Sequence, residues 1–179
     1  SPVRPDGTFQ MRGLAPEKYQ IGVTGQPQGS YVKSIRFENV DITRDYLDLS
    51  SGSGGALEIL LSPKGADVSG VVRNESGEPV PNVPVTLWIP GRPANGVFAP
   101  ARATNTDASG AFQIFNLAPG EYRVAAWEDL ELGLAQNPDF RARFESTAAK
   151  VEVQESTHAT ADTKLVSRDT IQAEIGKLP

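Results

Sequence analysis

Few side chains in this sequence could do chemistry. His158 is the single histidine, and triad-type hydrolysis would need it to face a nucleophile on one side and an orienting carboxylate on the other. It stands in Glu155-Ser156-Thr157-His158-Ala159, which reads as a hairpin turn, so a solvated turn histidine is expected and no catalytic residue is assigned. Asp107, Ser109 and Gly110 could start a cation loop, but a calcium loop of the helix-loop-helix kind needs oxygen ligands at alternate positions and a bidentate Glu at its end. Ala108 follows Asp107, and a turn closed by the Asp side chain is the better reading. Glu128, Asp129 and Glu131 form the densest acidic cluster and read as a solvated loop. With no Cys, disulfides, thiolate metal sites and a Cys nucleophile are excluded, and no cofactor or metal is assigned.

The large aromatics are the candidates for contact with a ligand or partner: Trp88, Trp127 and Tyr31. In a pleated strand alternate side chains share a face. If Val85, Leu87 and Ile89 point inward, Trp88 points outward; if Tyr122, Val124 and Ala126 point inward, so does Trp127 point outward. Antiparallel neighbours would then hold the two indoles at opposite ends, roughly 16 Å apart, too far for a paired clamp on a sugar ring. The competing expectation is that each Trp is covered by the 128–147 segment, the chain's tail or the residues before the second repeat, because a lone exposed indole is unfavourable.

What positions these residues is a chain that turns often. Seventeen Gly and fourteen Pro, with short apolar runs, indicate an all-β class. Hydrophobic residues at 39% and charged residues at 22% are enough to build a core, and a net charge of −5 argues against nucleic acid as a partner. No apolar run approaches the length of a membrane span, so no membrane insertion is expected, and the start reads as that of a piece of a longer chain.

The organisation comes from a repeat. GTFQMRGLAPEKYQI from Gly7 aligns without a gap to GAFQIFNLAPGEYRV from Gly110, 103 residues on. Gly7, Phe9, Gln10, Leu14, Ala15, Pro16 and Tyr19 meet identical residues at Gly110, Phe112, Gln113, Leu117, Ala118, Pro119 and Tyr122. Each copy reads as a turn, an alternating strand, a Leu-Ala-Pro corner and a second strand carrying the Tyr. Strands are expected at 68–73, 83–89, 101–106, 111–114, 121–127, 148–154 and 159–166, seven in all, which fits a Greek-key β-sandwich. Val71, Val85, Leu87, Phe112, Leu117, Tyr122, Val124, Val151 and Val153 are its expected core. The first copy retains strands near Phe9 and Tyr19, a run from Tyr31 to Ile42 and a strand at Leu57 to Leu61, without the two opening strands. The division is 1–63 for a partial repeat, 64–167 for a complete one and 168–179 for a tail. Asn137, Pro138 and Asp139 start one short helix, expected to run to about Thr147, and Ile171, Ile175 and Leu178 give the tail helical spacing.

Val68-Ser69-Gly70-Val71-Val72, Gly77-Glu78-Pro79-Val80-Pro81-Asn82-Val83, Thr106-Asp107-Ala108-Ser109-Gly110-Ala111-Phe112 and Leu117-Ala118-Pro119-Gly120-Glu121-Tyr122 together resemble the carboxypeptidase regulatory-like domains. That resemblance implies a transthyretin-like, immunoglobulin-like sandwich, an exported or cell-surface setting and an accessory role. Gly70 and Gly110 would relieve turns and Tyr122 would anchor the corner from inside. Glu17 departs from the pattern where the second copy has Gly120, which is expected to loosen the first corner. The expectation is therefore a non-catalytic structural or interaction module, partnered by other domains of its parent chain or by itself through the partial repeat. A carbohydrate-binding module using the exposed aromatics is the alternative.

Overall fold

The computed structural model describes residues 2–52, 54–91 and 101–176. It begins with short strands: β1 (Lys18–Tyr19), β2 (Tyr31–Phe37), β3 (Val40–Asp41), β4 (Leu47–Asp48) and β5 (Leu57–Ser62). β2 lies between β3 and β5, and β1 pairs antiparallel with β4. The expected run from Tyr31 to Ile42 is broken into β2 and β3 by a turn at Glu38, whose φ is 51°. Among the described residues no strand forms at Phe9, where one was expected. Ile35, Ile42, Leu47 and Leu49 form a small core of their own, with Tyr19, Phe37 and Ile59 against it.

The second part holds β6 (Ala66–Arg73), β7 (Pro84–Trp88), β8 (Arg102–Asn105), β9 (Ala111–Leu117), β10 (Gly120–Trp127), β11 (Ala149–Val153), β12 (His158–Thr160) and β13 (Thr163–Val166). β9, β6 and β12 make one layer, while β8, β7, β10 and β11 make the other. β13 runs parallel to both β6 and β10 and so joins the layers at one side. Between them lie Val68, Val72, Val85, Leu87, Phe112, Leu117, Tyr122, Val124, Val151 and Val153, giving an all-β sandwich with the expected core but for one residue. Among the described residues eight strands stand where seven were expected. The stretch 159–166 breaks at Ala161-Asp162, and the ladder is bridged there by Ala161 N–H to Ser69 O and by Val71 N–H to the Asp162 carboxylate.

Val71 is the misplaced core residue: Val72 is fully buried and Val71 lies half-buried on the opposite face. Gly70 takes an inward position, so the apolar alternation is unmarked where two valines stand side by side. Gly70 is also not a turn glycine. A Cβ there would run into the Ala161 carbonyl and come 3.0 Å from the Phe112 ring, so close approach dictates it. Gly110, with φ of 76°, is the turn residue expected.

Among the described residues there are three helices: α1 (Leu132–Ala135), α2 (Pro138–Ala142) and α3 (Arg168–Ile175). The Asn137 side chain accepts from the N–H groups of Asp139 and Phe140, so α2 starts where expected, and the following residues to Thr147 continue as turns. Among the described residues no helix is long and apolar enough to cross a membrane.

Replacing Val72 by Ala should lower unfolding stability by about 2 kcal/mol, and Val71 by Ala by about 1 kcal/mol or less. Urea titration of both variants checks the phase of β6, and the reverse order would refute it.

Candidate functional site

β10 is buried on both faces, which the alternation rule for a half-exposed strand does not anticipate. Its outer face carries Ala125 and Trp127, and β7 presents Thr86 and Trp88 beside them. Both tryptophans point outward from the sandwich as expected, yet they are 3% and 0% exposed. Phe140 of α2, Phe144 and Ile171 of α3 close over them. The Trp127 ring meets Phe140 at 5.4 Å and Phe144 edge-on at 5.0 Å, and its Nε1 donates to Thr86 Oγ1 at 2.8 Å. Ile89, expected inward, lies beyond the end of β7 and is exposed.

The expected separation of the two indoles needs correction. Their strands are antiparallel neighbours, but the ring centroids are 6.4 Å apart and stacked. Thr86 and Ala125, opposite each other in the ladder, lie between them and are small, so both indoles lean inward over them. Among the described residues the Nε1 of Trp88 has no hydrogen-bond partner.

The cover is fastened by charge and hydrogen bonds. Buried Arg141 donates to the carbonyls of Ala135 and Gln136, at 3.1 and 2.6 Å, closing the end of α1. Arg143 pairs with Glu174 of α3 at 3.5 Å. The acidic loop also serves this cover: the Glu128 carboxylate accepts from the Arg168 N–H at 2.8 Å, and Asp129 pairs with the Arg168 guanidinium.

Tyr31 is 6% exposed and is committed elsewhere. Its hydroxyl donates to the Glu155 carboxylate at 2.7 Å, tying β2 to the turn after β11. That bond holds the Glu155 carboxyl below the usual carboxylate range and pushes the Tyr31 hydroxyl up. Nearby, the Gly29 N–H donates to the Asn116 side chain at 2.7 Å and the Gly65 N–H to the Gly29 carbonyl at 2.7 Å. Gly65 presses against Gly29 so closely that a Cβ would sit 2.8 Å from that backbone. Sequence reasoning missed this junction. Its one signal is Asn116, which lies inside β9, one residue before its end, with a φ of 62° that Asn tolerates.

His158 is exposed and pairs through Nδ1 with the Asp67 carboxylate, which also accepts from Gln113 at 3.2 Å. This joins β12, β6 and β9 across one sheet. The Asp107 carboxylate accepts from the Ser109 hydroxyl at 2.7 Å, the Ser109 N–H at 2.8 Å and the Ala111 N–H at 3.0 Å, which holds its carboxyl low and closes the hairpin. Among the described residues no three His, Asp or Glu side chains gather as a metal site would need. A surface groove lined by Lys33, Asp41, Thr43, Arg44 and Asp45 lies beside β2 and β3 and includes neither His158 nor an indole.

A two-layer sandwich with a covered outer face, and with a corner at which the Tyr122 hydroxyl donates to the Ala118 carbonyl at 2.8 Å, is the class of module these features define. The model of the carboxypeptidase regulatory-like domain matches residues 67–166, more than half of the chain, and the protein belongs to that family. Among curated proteins none matches. Among solved structures, the chain is similar to a streptococcal ancillary pilin at 16% identity and a TM-score of 0.38, covering 78% of this chain and 45% of that one. It is similar to the major pilin subunit of Bacillus cereus at 10% identity and a TM-score of 0.36, covering 80% and 40%. It is also similar to the dioxygenase domain of a carbohydrate-binding fusion from Streptomyces sp. SirexAA-E, at 17% identity and a TM-score of 0.34, covering 57% and 80%. The chain thus spans less than half the length of both pilins.

Two outcomes follow. Ile171→Ala removes a fully buried side chain from the cover, so about 2 kcal/mol of docking should be lost and iodide should quench Trp fluorescence more strongly; unchanged quenching would contradict the seal. Because the Glu155 carboxyl is lowered in the folded state, what it adds to stability is present above its ordinary value and lost as the pH falls through the depressed one. The gap in urea midpoint between the wild type and Glu155→Gln should therefore narrow on acidification from pH 7 to 3, and a constant gap would rule the bond out as its source.

Proposed function

We propose that the chain is a non-catalytic structural module, exported or displayed at a cell surface, that works through protein contacts along a series of similar units. The observation that carries this reading is the sealed aromatic face. The indoles that a sugar-binding reading requires are spent on holding α1, α2 and α3 to the sandwich. At the junction of Gly29, Gly65 and Asn116, residues of the partial repeat meet those of the complete one within the chain. Such a junction fixes neighbouring units by backbone contacts, a task that suits a spacer or connector. Family membership supports the accessory role and the exported setting, since these sandwiches are appended to other domains.

The test uses intrinsic fluorescence. Soluble glucans, xylans and peptidoglycan fragments at millimolar concentration should leave the Trp emission of the full chain unchanged, because neither indole is open to them. Saturable quenching by any of them would overturn the reading and restore the carbohydrate-binding alternative.

A further inference from the structure

The part that holds β1 to β5 and the sandwich after it keep separate cores: the cluster of Ile35, Ile42, Leu47 and Leu49 shares no residue with the cluster between the two layers. Residues 63–65 connect β5 to β6 along the chain. The two parts meet at the end of the sandwich where β9 and β11 finish and β12 begins. There Asn116 accepts from the Gly29 N–H at 2.7 Å and donates to the Pro27 carbonyl at 3.3 Å, and the Gly65 N–H donates to the Gly29 carbonyl at 2.7 Å.

One of the contacts across this junction can change its charge. Glu155 stands in the turn between β11 and β12; its carboxylate accepts from the Tyr31 hydroxyl at 2.7 Å, and the Lys64 ammonium pairs with it at 3.5 Å. Tyr31 starts β2 and Lys64 is a connecting residue, so a single carboxylate ties strand, connection and turn together. The Ser156 N–H holds the same connection by donating to the Lys64 carbonyl at 3.0 Å. Lys33, also on β2, is within electrostatic reach of Glu155. His158 follows close by, but its partner Asp67 belongs to the sandwich, and that pair stays on one side of the junction.

We propose that Glu155 is an acid-released lock on a joint between the two parts: ionised, it fixes their angle at residues 63–65, and protonated, it lets β1 to β5 swing on the contacts at Gly29. A hydrogen bond to an ionised acceptor is roughly twice as strong as a neutral one, so protonation weakens the Tyr31 contact and takes from Lys33 and Lys64 the negative group they share. Losing a bond of this kind raises the open population about tenfold or more. The contacts of Gly29 with Asn116 and Gly65 hold no titratable group and remain as the pivot. Because the Tyr31 bond holds the Glu155 carboxyl below the usual carboxylate range, the lock stays closed through that range and opens in stronger acid. This inference deepens the connector reading and rests on it.

The chain has no Cys, so Val40→Cys in β3 and Lys150→Cys in β11, both at exposed positions, carry two spin labels, one on each part. Pulsed dipolar spectroscopy on the full chain should give one narrow distance distribution at pH 7 and a clearly broader one at pH 3, with the Trp emission unshifted because the sandwich stays closed. Tyr31→Phe, which keeps the ring, and Glu155→Gln should each be broad already at pH 7 and should not respond to acid. A narrow distribution at both pH values in the parent chain, a narrow one at pH 7 in either variant, or broadening that still follows pH in them would overturn the lock. Broadening joined by a red shift of the Trp emission would mean that the sandwich itself opens, and would overturn it too. If glycans leave the Trp emission unchanged while the distances never widen, the joint falls and the connector reading stands.

Discussion

β10 has side chains to bury on both faces. Tyr122, Val124 and Ala126 belong to the core between the layers, and Ala125 and Trp127 belong to a second core outside them. A strand of this kind must have cover on each side, since each large indole left in water forfeits roughly 2 kcal/mol or more of burial. The sandwich supplies one cover. For the other, the chain spends the 128–147 loop and its final helix, so the helices, the buried Arg141 and the Arg168 ion pair are consequences of Trp127. Two carboxylates of the acidic loop, Glu128 and Asp129, serve the same cover through Arg168.

The sequence was most legible where a residue type has one physical use. Gly110 marked a turn, Asn137-Pro138 a helix start, and the Tyr of Leu-Ala-Pro-Gly-Glu-Tyr a corner; each stands as read. Legibility failed where a glycine hid the pleat. With Gly70 facing inward, nothing in Val71-Val72 says which valine is core, and the close approach of the Ala161 carbonyl and the Phe112 ring to Gly70 is not written in the local sequence. The distance between Trp88 and Trp127 was misjudged for another reason. Strand register fixes Cα positions, whereas the direction in which an indole leans depends on the size of Thr86 and Ala125 between the rings. The junction was unreadable, because a hydrogen bond from Gly29 to Asn116 spans 87 residues of chain and leaves no local pattern.

Comparing the two copies separates local from distant causes. The tyrosine corner needs only a hydroxyl and a carbonyl four residues back, and it forms in both, even with Glu17 where the second copy has Gly120. Burial of the apolar residues before the corner needs a strand more than forty residues away, and it occurs in one. Leu14 is thus exposed where the identical Leu117 is core, and the difference between them lies in pairing, with intrinsic propensity in a minor role.

The parallel course of β12 and β13 along β6 has a mechanical consequence. β6 opens the complete repeat and β13 closes it, and because they run in the same direction, the chain enters at one end of the pair and leaves at the other. Tension applied through the flanking chain therefore acts along the strands. The interstrand hydrogen bonds share it side by side, in shear, and cannot be opened one at a time from an end. The His158 contact to Asp67 and the Asp162 contact to the Val71 N–H lie across the same seam and add to what must yield together.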